Sequence, residues 1–197
     1  MKSLHSKRSV HIRRPIRTAL AVLAVAAVPA GAVVVPAIAS ASTSASARVN
    51  CSTAWGSLPE AKTLVSTSTL KAMRTGRHAC FDRVVFDLSG KPTTYSVHYT
   101  SNVFRAGAGH LVPLRGGAKL EIMLGVQEMD AAGHWAYEPR EIDVTGYRTF
   151  RQIEYAGSTE GAAWVGLGVR ARLPFRVFTL AGPGSGSRIV VDVAHTW

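Results

Sequence analysis

The sequence predicts an all-β chain folded as a compact two-sheet β-sandwich of about eight or nine strands. Three observations lead there. Short runs with an apolar residue at every second position recur beyond residue 60, and clusters of Gly, Pro and Ser punctuate them. Over the same stretch no helical periodicity persists for as many as about ten residues. A sheet with one apolar face needs a cover, and without a helix to lie across it the cover is a second sheet.

Taken in order, Lys62 to Thr69 is rich in Thr and Val and is read as an initial strand within residues 61–74. Phe81 to Leu88 is the first strong strand, with Val84, Phe86 and Leu88 on one face, Arg83 and Asp87 on the other, and Val85 breaking the alternation. Ser89-Gly90-Lys91-Pro92 ends it. Thr94 to Val103 places Tyr95, Val97 and Tyr99 opposite Ser96, His98 and Thr100. After a glycine-bearing loop at 106–117, Leu120, Ile122, Leu124 and Val126 alternate with Lys119, Glu121, Met123 and Gly125 in the cleanest pattern of the chain. A polar and aromatic loop, Asp130 to Arg140, leads to short strands expected near 141–145 and 150–155. Ala162 to Arg170, Phe175 to Leu180 and Arg188 to Val193 complete the set. In the first of these Trp164 lies opposite Val165, Leu167 and Val169, so either both faces are covered or the tryptophan caps an edge.

The N-terminal stretch has another character. Lys2, Lys7, Arg8, Arg13, Arg14 and Arg17 precede an almost purely apolar run that ends at Ala37-Ile38-Ala39 before Ser40, the order of a signal peptide. Residues 1–39 are therefore expected to be a leader cut after Ala39, leaving no stable membrane span. An uncleaved anchor is the competing form, since about 20 apolar residues span a bilayer. Residues 40–60 open on Ser-Ala-Thr repeats too small and polar to build a core and read as a spacer, and 61–197 as one domain. Of 23 Lys and Arg, 6 fall in the leader, so 17 basic and all 12 acidic residues remain beyond it, a formal charge of +5. The whole-chain +11 is mostly a targeting charge, and no nucleic-acid partner is expected.

Export bears on Cys51 and Cys80. In an oxidising compartment they are expected to pair, closing a loop of about 30 residues for which the chain-entropy estimate is about 3 to 4 kcal/mol. Two free thiols are the alternative.

Catalytic signatures are missing from the sequence. It contains no His-Glu-x-x-His, no phosphate-binding loop ending in Gly-Lys-Ser/Thr, and no nucleophile elbow, Ser185 having the wrong spacing. His78, His98, His110, His134 and His195 are scattered singly. No catalytic residue, metal ligand or cofactor is assigned, and the chain is not expected to be an enzyme. The candidates for ligand contact are Trp135 and Tyr137, which offer flat apolar faces from a loop, and Arg115 and Arg176, whose planar forks suit carboxylates. Trp135 folded back as a lid on the core is the structural alternative.

Several blocks carry a family resemblance: Phe81-Asp82-Arg83-Val84-Val85-Phe86, Tyr95-Ser96-Val97-His98-Tyr99, Val112-Pro113-Leu114-Arg115-Gly116, Gly166-Leu167-Gly168-Val169-Arg170, Pro174-Phe175-Arg176-Val177-Phe178 and Arg188-Ile189-Val190-Val191-Asp192-Val193. In this order, from about residue 62 to residue 193, the chain resembles the AMIN-like domain of secreted and lipid-anchored actinobacterial proteins. The resemblance implies a β-sandwich that localises proteins to the cell wall. It gives no support to hydrolysis, because in AMIN-bearing amidases catalysis lies in a separate zinc domain. The chain departs from the lipid-anchored relatives in lacking a cysteine just after its apolar run. The function expected is a non-catalytic binding module, secreted or wall-associated, whose partner is peptidoglycan or an anionic wall polymer. A secreted protein-interaction or inhibitor domain that meets another exported envelope protein, and an unrecognised hydrolase, are the competing readings.

Overall fold

The computed structural model describes Cys51 and residues 54–197, so the 1–39 leader and most of the 40–60 spacer lie outside the described residues. Eleven strands follow one another: β1 (Glu60–Lys62), β2 (Leu70–Arg77), β3 (Phe81–Leu88), β4 (Tyr95–Thr100), β5 (Val103–Phe104), β6 (Leu111–Val112), β7 (Ala118–Leu124), β8 (Phe150–Thr159), β9 (Ala162–Val169), β10 (Phe175–Ala181) and β11 (Ser187–Ala194). They form a five-stranded sheet in the order β1-β4-β7-β9-β8, a four-stranded sheet in the order β10-β11-β3-β2, and the hairpin β5-β6. Among the described residues there is no helix, and so none long and apolar enough to cross a membrane. The architecture is the all-β sandwich that the alternation predicts.

One core joins the two sheets. Val84, Phe86 and Leu88 of β3 and Ile189, Val191 and Val193 of β11 meet Leu120, Ile122 and Leu124 of β7 and Val165, Leu167 and Val169 of β9, all of them buried. The two-residue period puts these side chains on the inner faces and their neighbours outside. Val85, which spoils the pattern of β3, is nevertheless buried on the outer face.

The strand count exceeds the expected number for local reasons. The predicted strand at 94–103 breaks at Ser101-Asn102 into β4 and β5, and β6 lies within the predicted 106–117 loop. The expected initial strand at 62–69 does not form as one piece. The chain there changes sheets, β1 pairing with β4 and β2 with β3, and the crossing is held by side-chain bonds such as Leu64 N–H to Thr94 Oγ1 at 2.9 Å. No strand forms at 141–145 either. Asp143 Oδ1 accepts the Thr145 N–H at 2.8 Å, an Asx turn that bends the backbone away from any ladder, while Ile142 and Val144 still pack on the core.

Trp164 is settled by the hairpin, since both faces of β9 are covered. On the outer face, Val103, Val112 and Ala156 form a second cluster with Leu114 and Trp164 against them. The hairpin approaches so closely that a Cβ at Gly168 would stand 1.9 Å from the Arg115 carbonyl oxygen, and one at Gly166 would stand 2.7 Å from a Leu114 methyl. Two glycines on one face of β9 are what admit this cover.

One end of the sandwich closes on Asp82. Its buried carboxylate accepts the Thr149 and Phe150 N–H groups at 2.6 and 3.1 Å and lies 3.1 Å from His195 Nε2. His195 donates its backbone N–H to Cys80 O at 2.9 Å, and Cys80 is bonded to Cys51. The expected disulfide is present.

Two outcomes test this account. Gly168→Ala is expected to lower stability by about 1 to 3 kcal/mol in urea unfolding, because the hairpin must lift from β9. Asp82→Ala strands two buried N–H groups and an imidazole, and is expected to cost about 3 to 5 kcal/mol in the same assay.

Candidate functional site

A broad concavity lies along the open edge of β2. This strand ends its sheet, and the His78 N–H to Phe81 O bond at 3.0 Å sets the alternation that turns the Met73, Thr75 and Arg77 backbone groups away from β3. Facing them is the irregular segment 135–143, and between the two is a groove of about 690 Å³. Lys71 and Arg74 stand on the strand side, with Glu138, Arg140, Glu141 and Asp143 on the loop side, three charges of each sign.

Local turn chemistry presents the aromatics. Asp130 Oδ1 accepts the Ala132 and His134 N–H groups at 2.8 and 3.0 Å, and these bonds hold its carboxyl below the ordinary carboxylate range. A bridge between Met129 and Trp135 finishes the turn. Trp135 is 62% exposed at the mouth of the groove, so it is not a lid on the core. Tyr137 is half-buried, its ring 5.0 Å from that of Tyr155, and burial raises its phenol above the ordinary value.

Arg115 lies on the far side of the same loop. It lines a smaller hollow of about 310 Å³ with Gln152, Glu154 and Tyr155, and Arg140, Glu141 and Ile142 border both spaces. The loop thus brings Trp135 and Tyr137 into one groove and Arg115 into the next, with a shared wall between.

Arg176 is elsewhere, on the outer face of the four-stranded sheet. Register puts Arg176, Asp192 and Arg83 in one cross-strand row on β10, β11 and β3. The Asp192 side chain has no exposed surface, and it accepts from Arg83 Nε at 2.6 Å and from Arg176 Nε at 2.9 Å. Arg176 also stacks 4.2 Å above the Trp55 ring and 5.0 Å from that of Phe178, while Arg83 lies 5.1 Å from the Phe81 ring. Packing against these rings adds cation–π attraction to the ion pairs. Arg83 and Arg176 are among the arginines whose charge the sequence offers to carboxylates, but it gave no role to Trp55, Phe81, Phe178 or Asp192. The i, i+2 spacing of Phe81 with Arg83 and of Arg176 with Phe178 was the available signal; which strands lie side by side was not.

The convergence of titratable groups that most resembles a catalytic pair is Asp82 with His195. It is sealed, the two side chains being 1% and 7% exposed, and His195 Nδ1 lies 3.2 Å from the Ala79 carbonyl oxygen. Both ring nitrogens are thus occupied by protein acceptors, leaving none for a substrate or an attacking hydroxyl. Among the described residues no group of three or more His, Cys, Asp and Glu gathers in metal-ligating geometry.

The AMIN-like domain family matches residues 68–195, and the chain belongs to it. Neither a curated protein nor a solved structure matches the chain significantly. The matched span begins just before β2 and ends just after β11, so it takes in the groove, the Arg176–Asp192–Arg83 row and the Asp82 closure, while Trp55 lies before it. Membership supports a cell-wall-related binding role, AMIN-like domains being generally non-catalytic.

The arginine–aromatic face is expected to be mainly structural at Asp192. Asp192→Asn leaves two neighbouring guanidiniums without their carboxylate and is expected to destabilise by about 3 to 5 kcal/mol. Trp55→Ala removes one stacking partner from a half-exposed arginine and is expected to cost about 0.5 to 2 kcal/mol. Thermal unfolding of both variants checks the order.

Proposed function

We propose that the domain is a non-catalytic binding module of the cell envelope that holds peptidoglycan, or an anionic polymer associated with it, in the groove beside β2. The observation that carries this reading is the composition of that groove: an exposed Trp135 at its mouth, Tyr137 on its wall, and balanced charges between. A sugar ring stacks on a flat aromatic face, and carboxylates and amines of peptide stems find partners of the opposite sign. The family and the formal +5 beyond the leader support a wall location. The disulfide suits an oxidising compartment, in keeping with a secreted or wall-associated protein.

The free edge of β2 supports a second reading. Outward backbone groups at Met73, Thr75 and Arg77 are complementary to an extended segment of another exported protein, which would add a strand there.

Purified sacculi stripped of secondary polymers separate the two. At about 0.5 M salt, screening confines exposed charges to a few ångströms, so non-specific attraction fades while a shaped site persists. Retention at high salt is expected, weakened about tenfold in Trp135→Ala or Tyr137→Ala. Binding that vanishes with salt reduces the wall contact to charge alone. Failure to bind at low salt removes the wall reading and promotes the protein partner.

A further inference from the structure

A second concavity lies on the outer face of the four-stranded sheet. Register explains its build. Phe178, Val190, Val85 and Arg74 form one cross-strand row; the row on one side is Arg176, Asp192, Arg83 and Gly76, and on the other Leu180, Arg188, Asp87 and Ala72. Val85 and Val190 make an apolar floor, and Arg74, Arg83 and Arg188 rise around it from three strands, enclosing a hollow of about 230 Å³. Gly76 leaves one side open, since a Cβ there meets only the His78 ring at 3.6 Å.

The three guanidiniums are held from behind. Arg74 bonds Asp87 through Nε and Nη2 at 2.6 and 3.0 Å, Arg83 bonds Asp192 through Nε and Nη2 at 2.6 and 2.9 Å, and Arg188 bonds the Gly182 and Ala181 carbonyls through Nε and Nη2 at 3.0 and 2.8 Å. In each case, among the described residues, Nη1 makes no hydrogen bond to protein. The positions of the forks are thus set before a ligand arrives, and each keeps donors for it. The charge is not cancelled in place. Asp192 is shared between Arg83 and Arg176, and Arg188 is held by neutral carbonyls, so four arginines on this face answer to two aspartates.

We infer that this hollow is an anion site for a phosphate ester, the oxygens meeting the three arginines and the ester carbons lying against Leu180 and the methylene stems of the arginines. Three donor groups converging from different strands suit a tetrahedral anion with several oxygens, whereas a single carboxylate is satisfied by one fork. The exposed Leu180 beside the charges favours an ester over the bare ion. The hollow shares Arg74 and Thr75 with the Trp135 groove but none of the aromatics that carry the reading of that groove, so each reading survives failure of the other.

The test titrates the purified protein with inorganic phosphate and with glycerol phosphate, following the arginine Nε–H and Gly76 amide resonances. Saturable shifts at Arg74, Arg83 and Arg188 are expected, with glycerol phosphate the tighter ligand. Arg188→Gln is expected to weaken binding about tenfold, by loss of a charge-assisted contact. Leu180 is 37% exposed, and Leu180→Glu sets a carboxylate beside the floor without opening the core, so it is expected to abolish binding while the fold is unchanged. Trp135→Ala leaves the titration as it was. Pelleting with phosphatidylglycerol vesicles that both variants lose assigns the ester to a lipid headgroup; saturation by glycerol phosphate without pelleting assigns it to a soluble or wall-borne polyol phosphate; either upholds the site. Shifts that never saturate, or that persist unchanged in folded Arg188→Gln and Leu180→Glu, overturn it.

Discussion

The buried carboxylate of Asp82 is the contact on which the arrangement of the surface most depends. It accepts the two backbone N–H groups at which the long 125–149 connection becomes β8, and it meets the imidazole that ends β11. Unpaired, such a charge is costly in a protein interior; surrounded by three donors it becomes a fixed point. Because the connection is pinned there, and by Tyr147 Oη to Thr75 Oγ1 at 2.8 Å, its middle passes alongside the edge of β2. The groove is the space that remains between a strand needing a partner and a loop that does not supply one.

The two outer faces of the sandwich meet different ends. On the five-stranded sheet, Gly166 and Gly168 let the β5-β6 hairpin lie against the backbone and cover Trp164. On the four-stranded sheet no segment among the described residues takes that place, and arginines and aromatics cover the apolar residues instead. Val190 is 1% exposed and Val85 6% beneath them. Long arginine side chains do this because their methylene stems lie along apolar surface while their charged ends stay hydrated.

AMIN-like domains are generally non-catalytic binding modules. The acid–imidazole pair is sealed and used structurally, whereas the open concavities are lined by aromatics and paired charges. The two concavities touch along β2, where Arg74 and Thr75 border both.

Much of this was legible in the chain. The two-residue period of β3, β4 and β7 named core residues before any pairing was known, because burial of one face is a local property of a strand. The pairing of Cys51 with Cys80 was expected from their number and from the export that the leader implies, and the two are bonded. Misreadings arose where a neighbour decided the outcome: the 62–69 run gave way because it crosses between sheets, and 141–145 because Asp143 captures the backbone. The site residues divided for the same reason. Trp135 and Tyr137 are close in sequence and share a groove, but Arg176 belongs with Asp192 and Arg83, which lie 16 and 93 positions away. Alternation along a strand is encoded locally; which strands stand side by side, and therefore which charges meet, is decided only when the sheets assemble.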